Sequence, residues 1–518
     1  MGSSDYPLPT VHYPLNAMND REIQSIIDRV MREVGTPTTP SPALAGKAAD
    51  PPPRPAGRTA QANGGYGASS PAPASAGDSG VYATLDEAAA AARAAFLRLH
   101  ALPLAIRKDM VAHMRRAARE NALLLAELAH SETGMGRVED KVLKNVLNAD
   151  KAPGTEALPS QAWSGDGGLT LVEYAPYGVI GALTPSTNPT STVICNAISM
   201  VAAGNAVVFN AHPSAKGASN RTVQILNRAI QAAGGPPDLL TCVANPTIES
   251  AQALMEHKLI RLLVVTGGTP VVRAAMRSGK RAVCAGPGNP PVVVDETADI
   301  AQAGRDVVIG GSFDNNIVCT TEKETFVVAS VADELIRVME ANGGLRLNSW
   351  QFNRLWKAVT TADHGPRKYA DMNKAFIGKN ASVLLAEIGV SAGPEVRQIV
   401  VEVDQNHPVV WSEQMMPIMP VVRVANADEG IDLAVEAEHG FRHTAVMHSK
   451  NLDNLSRMAR EMDCSIFVKN GPCLAGLGYG GEGFCSFTIA SPTGEGLTGP
   501  ISFSRIRRCT LVDSFRIV

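Results

Sequence analysis

The chain has 518 residues, 45% of them hydrophobic and 19% charged, with a formal net charge of −3. That length holds two or three well-buried domains, and the near-neutral balance excludes nucleic acid as a dominant partner. No apolar run approaches the ~20 residues that cross a bilayer and no signal-peptide core opens the chain, so neither membrane insertion nor export is expected.

The chain opens with a module of its own, residues 1–36. Between 19 and 34, Ile23, Ile26, Ile27, Val30, Met31 and Val34 recur at the i, i+3, i+4, i+7 spacing, with Arg21, Glu22, Asp28, Arg29, Arg32 and Glu33 between them. This predicts a short amphipathic helix, opened by an Asn19/Glu22 capping box and stopped by Gly35 and Pro37. Residues 37–81 are rich in Pro, Ala, Gly and Ser and read as a tether without a core. A helix this short is marginal alone in water, so its apolar stripe needs a partner surface. Docking back onto the enzyme body would make so long a tether superfluous. A membrane surface is disfavoured by the mixed charge and by a stripe without Trp or Phe.

From residue 85 the pattern changes. Helical stretches at 85–99 and 105–131 are followed by apolar runs at 178–183, 206–210, 239–243 and 262–265, which alternate with helices at 190–203, 214–233 and 269–279. Strand and helix at this spacing predict an α/β fold with an open parallel sheet, its ligands lying beyond the carboxyl ends of the strands. The turn Thr266-Gly267-Gly268-Thr269 between a strand and a helix offers backbone amides to a pyrophosphate. Gly476, Gly478 and Gly481 also match G-x-G-x-x-G, but 484–490 reads as β-like and Pro492 follows. No helix opens there, and the segment reads as a glycine-rich loop near the catalytic side.

The stretch 310–321, Gly-Gly-Ser-Phe-Asp-Asn-Asn-Ile-Val-Cys-Thr-Thr, sets Cys319 among small, turn-forming residues ahead of a hydrophobic segment at 326–329. A thiol held so at the mouth of a cleft suits two-step acyl chemistry; the alternative is a small buried hydrophobe. The other cysteines, 195, 242, 284, 464, 473, 485 and 509, make no zinc-ligand spacing and read as reduced thiols. His439, His443 and His448 lack an acidic partner and do not form a metal face. They read as structural, with His443 a candidate proton shuttle if its pKa stays near the ordinary value.

Taken together, Pro176 to Ile180, Thr184-Pro185-Ser186-Thr187-Asn188-Pro189, the 266–269 turn, Cys284-Ala285-Gly286-Pro287-Gly288-Asn289-Pro290, Cys319 and the segment 413–417 resemble the aldehyde dehydrogenase superfamily over roughly 82–505. Within it the chain looks most like the CoA-acylating branch, especially propionaldehyde dehydrogenases of bacterial microcompartments. The resemblance implies a Rossmann-like NAD-binding domain at 82–285, a catalytic domain at 286–495 and oligomerisation strands in 496–518, near 510–515, in a homodimer or homotetramer. It assigns cofactor contacts to Thr184, Pro185, Thr266, Gly267, Gly268 and Gly286, and the nicotinamide ribose to Glu413, whose alternative is a solvated loop carboxylate. His212 stands where many relatives carry a lysine on the adenosine ribose, which favours NAD over NADP. Cys284 stands where hydrolytic members carry the glutamate that activates water. The oxyanion would be held by the Cys319 N–H and by Thr187, on register against Pro189, or by Asn188, on chemistry.

The implied reaction is aldehyde, CoA and NAD+ to acyl-CoA and NADH, with propionaldehyde first and acetaldehyde next among substrates. Residues 19–34 would then be an encapsulation helix docking on shell or cargo proteins in a microcompartment lumen. The rivals are a hydrolytic aldehyde dehydrogenase, an acyl-phosphate reductase and a non-catalytic cargo or scaffold protein.

Overall fold

The computed structural model describes residues 79–517; the helix expected at 19–34 and nearly all of its tether lie outside them. The folded body begins just before the expected end of the tether. Val81–Tyr82 is a strand paired parallel to Cys242 and Val243, and Asn227 Nδ2 donates to the Ser79 carbonyl at 2.8 Å. Leu85–His100 starts on a Thr84/Glu87 capping box and buries a stripe of alanines, Ala88, Ala92 and Ala95 among them. The stretch 105–131, expected as one helix, is two, Ala105–Glu120 and Ala122–Thr133. Asn121 divides them: at φ −105° its own N–H and its Nδ2 both donate to the Ala117 carbonyl, a local alternative to the next helical turn.

The first sheet has six parallel strands in the order Val81–Tyr82, Leu240–Val243, Ala206–Ala211, Val179–Thr184, Ile260–Thr266 and Ala282–Ala285. Every residue of Val179–Thr184 and Ala206–Ala211 is buried, so both faces of the sheet are covered and its strands are continuous apolar runs. Val179–Thr184 lies between the next strand of the chain and a later one, which makes the crevice beyond Thr184 the topological switch point.

The second sheet has seven parallel strands, ordered Gly344–Leu347, Gln398–Glu402, Ile418–Val424, Glu324–Val328, Pro291–Val294, Thr444–His448 and Ile466–Lys469. Residues 286–290 alone link the last strand of the first sheet, Ala282–Ala285, to Pro291–Val294, the first strand of the second in chain order. Five residues reach no more than about 20 Å, so the carboxyl edge of one sheet lies close to the amino edge of the other.

A third, antiparallel sheet joins Gln161–Gly165, Gly168–Pro176 and Ser504–Val512. The C-terminal strand is therefore not a segment by itself but is completed by a hairpin from within 82–285. The stretch expected to be β-like at 484–490 is strand only at Ile489–Ala490, paired with Gly496–Leu497. Ser486 and Thr488 are held instead by their hydroxyls, on Thr498 and Asn196, while Cys485, Phe487 and Phe503 fill the core under the first sheet.

Candidate active site

Helix Ile300–Ser312 ends in a loop whose residues Asp314, Asn315 and Asn316 are all left-handed, with φ of 47°, 53° and 66°. Asp and Asn are the side-chain-bearing residues that best tolerate that region. The loop is tied down from inside. Asn316 Nδ2 donates to the carbonyls of Gly311 (2.7 Å) and Glu322 (2.8 Å), and buried Lys323 donates to the Asn316 carbonyl (2.8 Å), Asn316 Oδ1 (2.6 Å) and Thr321 Oγ1 (2.8 Å). Cys319 is the one partly exposed residue between Gly310 and Val328. A Cβ at Gly288 would lie 2.7 Å from the Cys319 carbonyl oxygen and 3.0 Å from His443 Cγ; only glycine lets the 286–290 connection pass this close to Cys319.

Burial and the Glu413 carboxylate push the Cys319 thiol up to about 12, against the Lys323 and Lys144 ammonium groups. Glu413 is buried, accepts the Gly288 N–H at 3.4 Å, and is raised by burial to about 7 although Lys323 pulls the other way. It is therefore no solvated loop carboxylate. His443 pairs through Nδ1 with the Thr444 hydroxyl at 2.8 Å, and its Nε2 has no partner. Burial and then Lys323 push it down to about 3, which corrects the expectation of a near-neutral shuttle: the resting ring is neutral, an acceptor rather than a proton carrier.

Thr187 and Asn188 precede helix Pro189–Ala202. Lys144 Nζ donates to Asn188 Oδ1 at 2.7 Å, and Asn188 Nδ2 donates to Thr187 Oγ1 at 3.1 Å. The two oxyanion candidates thus stand in one hydrogen-bonded chain. Lys144 belongs to helix Val138–Lys151, which sequence reasoning passed over. Its signal was present: Lys141, Lys144, Asn145 and Asn148 are all buried and fall at the i, i+3, i+4, i+7 spacing normally held by apolar residues. The two lysines face a buried carboxylate, Asp314, which accepts from Lys141 at 3.0 Å, from Lys144, and from the Arg137 N–H at 2.7 Å, while Asn145 Nδ2 donates to the Ala122 carbonyl at 3.1 Å and Asn148 Nδ2 to the Lys144 carbonyl at 2.8 Å.

At the switch point, Thr184 is buried and its Oγ1 has no partner, with Pro185 half-buried beside it. A Cβ at Gly267 would meet nothing within 4 Å, and helix Thr269–Arg277 starts at exposed Gly268 with no side-chain cap. An orphaned hydroxyl and an open helix start fit a dinucleotide pyrophosphate. Thr266 differs, since its hydroxyl is bonded to Thr488 at 2.8 Å and holds the C-terminal segment. His212 is exposed; its Nδ1 accepts the Ser214 N–H at 3.3 Å and caps the turn Pro213–Ala215. Gly286 is packed so that a Cβ would meet Pro492 Cγ at 3.1 Å. Cys284 is buried and raised to about 11 by burial and by Glu495, whose carboxylate pairs with Arg281 at 3.6 Å.

The glycine-rich loop turns carbonyls inward: Lys151 Nζ donates to those of Gly478 and Gly481, the reverse of an anion cradle. His439 Nε2 bonds the Trp411 carbonyl at 2.9 Å, and His448 is buried and lowered to about 4. Among the described residues no group of three His, Cys, Asp or Glu could hold a metal ion, and no helix is long and apolar enough to cross a membrane.

The aldehyde dehydrogenase family model matches residues 78–482. Over 440 residues the chain is 52% identical to an acetylating acetaldehyde dehydrogenase, EutE, of Salmonella typhimurium, covering 85% of this chain and 94% of that protein. A CoA-propanoylating propanal dehydrogenase of the same organism is 44% identical, covering 85% and 93%. Among solved structures, the propionaldehyde dehydrogenase of the Clostridium phytofermentans fucose utilisation bacterial microcompartment superposes with a TM-score of 0.82 at 45% identity, over 85% of this chain and 100% of that one. That of Rhodopseudomonas palustris, with bound CoA and an acylated cysteine, gives 0.83 at 46%, over 86% and 100%.

Proposed function

The chain belongs to the aldehyde dehydrogenase family, and from that membership we propose that it converts a short aliphatic aldehyde, CoA and NAD+ to acyl-CoA, NADH and a proton. The observation that carries the acyl-transfer step is the strand end at 282–285. Buried Cys284 there offers no base for water, so a thioester on Cys319 waits for a better nucleophile, the CoA thiolate.

Thr184, Pro185, Gly267, Gly268 and Gly286 would hold the dinucleotide, with Thr266 fixing the wall of its site, Glu413 on the nicotinamide ribose and His212 on the adenosine side. NAD is favoured over NADP because His212 brings no fixed cation for a 2′-phosphate. NAD+, when bound, supplies the hydride acceptor. The Cys319 thiolate adds to the aldehyde carbon, and the oxyanion so formed is met by the Cys319 N–H and the donors of Thr187 and Asn188. Loss of hydride leaves the thioester. CoA thiolate then attacks the acyl carbon and the Cys319 thiolate departs. His443, with its open Nε2, is a hydrogen-bond acceptor at hand for the CoA thiol, whose proton leaves to solvent.

The test is NADH formation from acetaldehyde or propionaldehyde with NAD+, with and without CoA. Relatives named for each aldehyde each match 85% of the chain. The expected result is one burst per site without CoA and steady turnover with it; steady turnover without CoA would mean that water is activated after all. The same reading puts the enzyme in a microcompartment lumen, docked through residues 19–34. It makes the enzyme a homodimer or homotetramer joined through the third sheet, where Trp163, Ile506 and Val512 are exposed.

A further inference from the structure

We propose that Lys144 is a positioning residue for the first half-reaction: it locks the Asn188 carboxamide with Oδ1 turned away from the substrate and Nδ2 turned toward it, and clamps that donor to the loop carrying Cys319. The inference rests on the function proposed above for the aldehyde substrate, the Cys319 nucleophile and the Asn188 oxyanion donor.

The argument begins with what an amide can do. An asparagine beside a forming oxyanion has two faces, one donating and one accepting, and the wrong face repels the charge. Lys144 has donors only, so its 2.7 Å contact with Asn188 commits Oδ1. Nδ2 is left with two hydrogens, one taken by Thr187 Oγ1 at 3.1 Å and one free. Thr187, accepting there, keeps its own hydroxyl proton to donate. The Lys144 charge also reaches the Cys319 thiol and favours its ionised form.

The second part is mechanical. Asn188 comes from the crevice of the first sheet, while Asp314 lies on the left-handed loop five positions before Cys319. Lys144 bonds both. Asp314 is also held by Lys141 at 3.0 Å and by the Arg137 N–H at 2.7 Å, so it is a fixed anchor rather than a mobile partner. One buried side chain thus sets the spacing between nucleophile and oxyanion donor across the junction of the two sheets. A tenth-of-nanometre error in such a spacing costs about 100-fold in rate.

The experiment is a stopped-flow burst of NADH from the full chain with NAD+ and propionaldehyde, CoA omitted, on Lys144→Met, Lys144→Gln, Asn188→Ala and Lys144→Met/Asn188→Ala. Alkylation of Cys319 by iodoacetamide is measured in parallel without cofactor. Lys144→Met should slow the burst roughly 100-fold, and the double variant should be slower than Asn188→Ala only by the factor that separates Lys144→Met from wild type in alkylation, because beyond its charge the lysine acts through the amide. Lys144→Gln, which still donates to Oδ1, should recover most of the burst while alkylating as slowly as Lys144→Met. Multiplying effects in the double variant, or a Gln variant as slow as Met, would overturn the proposal. If Lys144→Met does not fold, the Gln variant and the alkylation rates still decide between orientation and charge. Steady NADH without CoA in the wild type would sink the acyl-transfer reading and leave these first-turnover ratios readable.

Discussion

Glu322, three residues after Cys319, is a carboxyl buried at a cost to the folded state. Its Oε1 accepts the Cys473 N–H at 2.7 Å, its Oε2 has no partner, and burial pushes it up to about 7. A folded value above the unfolded one of 4.5 means that the native state holds this proton more tightly. The stability it contributes is complete below about 4.5 and is lost as pH rises to about 7. Glu322→Gln keeps an acceptor for Cys473 and has no charge to bury. Urea unfolding should find the variant close to wild type at pH 5 and more stable at pH 8, by on the order of 3 kcal/mol at most. If wild type instead gains on the variant at pH 8, Lys323 is holding the carboxylate charged. The same residue explains one of two glycines that the sequence presents as turn-formers. Gly310 and Gly311 lie inside helix Ile300–Ser312; a Cβ at 310 would run into the Glu322 carboxylate, and one at 311 into Gln398 Nε2 and Met419 Cε.

Among the elements, legibility followed burial. The strands of the first sheet could be read because they are apolar on both faces, whereas the hairpin Gln161–Gly165 and Gly168–Pro176 is exposed or half-exposed along nearly all its length and shows neither a run nor an alternation. Helix Val138–Lys151 was missed for the opposite reason, since its inward stripe is charged and polar. Ser504–Val512 was located only by resemblance. It pairs along its whole length with Gly168–Pro176 and exposes Ile506 and Val512, each about 70% accessible, a combination that suits an interface between copies. Ile506 and Val512 fall on one face of the strand. Replacing both by Lys should shift sedimentation velocity toward the monomer and leave the CoA-free burst per protomer within about twofold, because neither side chain is in the core. An unchanged sedimentation coefficient would remove this sheet from the assembly.

At the scale of the whole molecule, the cofactor crevice and the nucleophile come from opposite kinds of sheet edge. The sequence showed the first, through strand ends that open onto glycine turns. It concealed the second, because Cys319, Glu413 and His443 precede their strands and are joined only by folding. The described body starts at residue 79, the first strand finds its partner at Cys242 and Val243, and every site residue lies beyond 140. The stripe Ile23, Ile26, Ile27, Val30, Met31 and Val34, expected from the sequence as one face of an amphipathic helix, would need a partner surface, and a coil of about 44 residues spans roughly 35 to 40 Å on average. Deleting residues 1–36 should leave CoA-dependent turnover within twofold of the full chain and abolish co-sedimentation with microcompartment shells. Replacing Ile27 and Val30 by Asp in the full chain should do the same, since either carboxylate breaks the stripe without shortening the tether. Lost turnover in either variant would mean that the segment docks on its own enzyme, and shells that still capture both would place the targeting signal in the body.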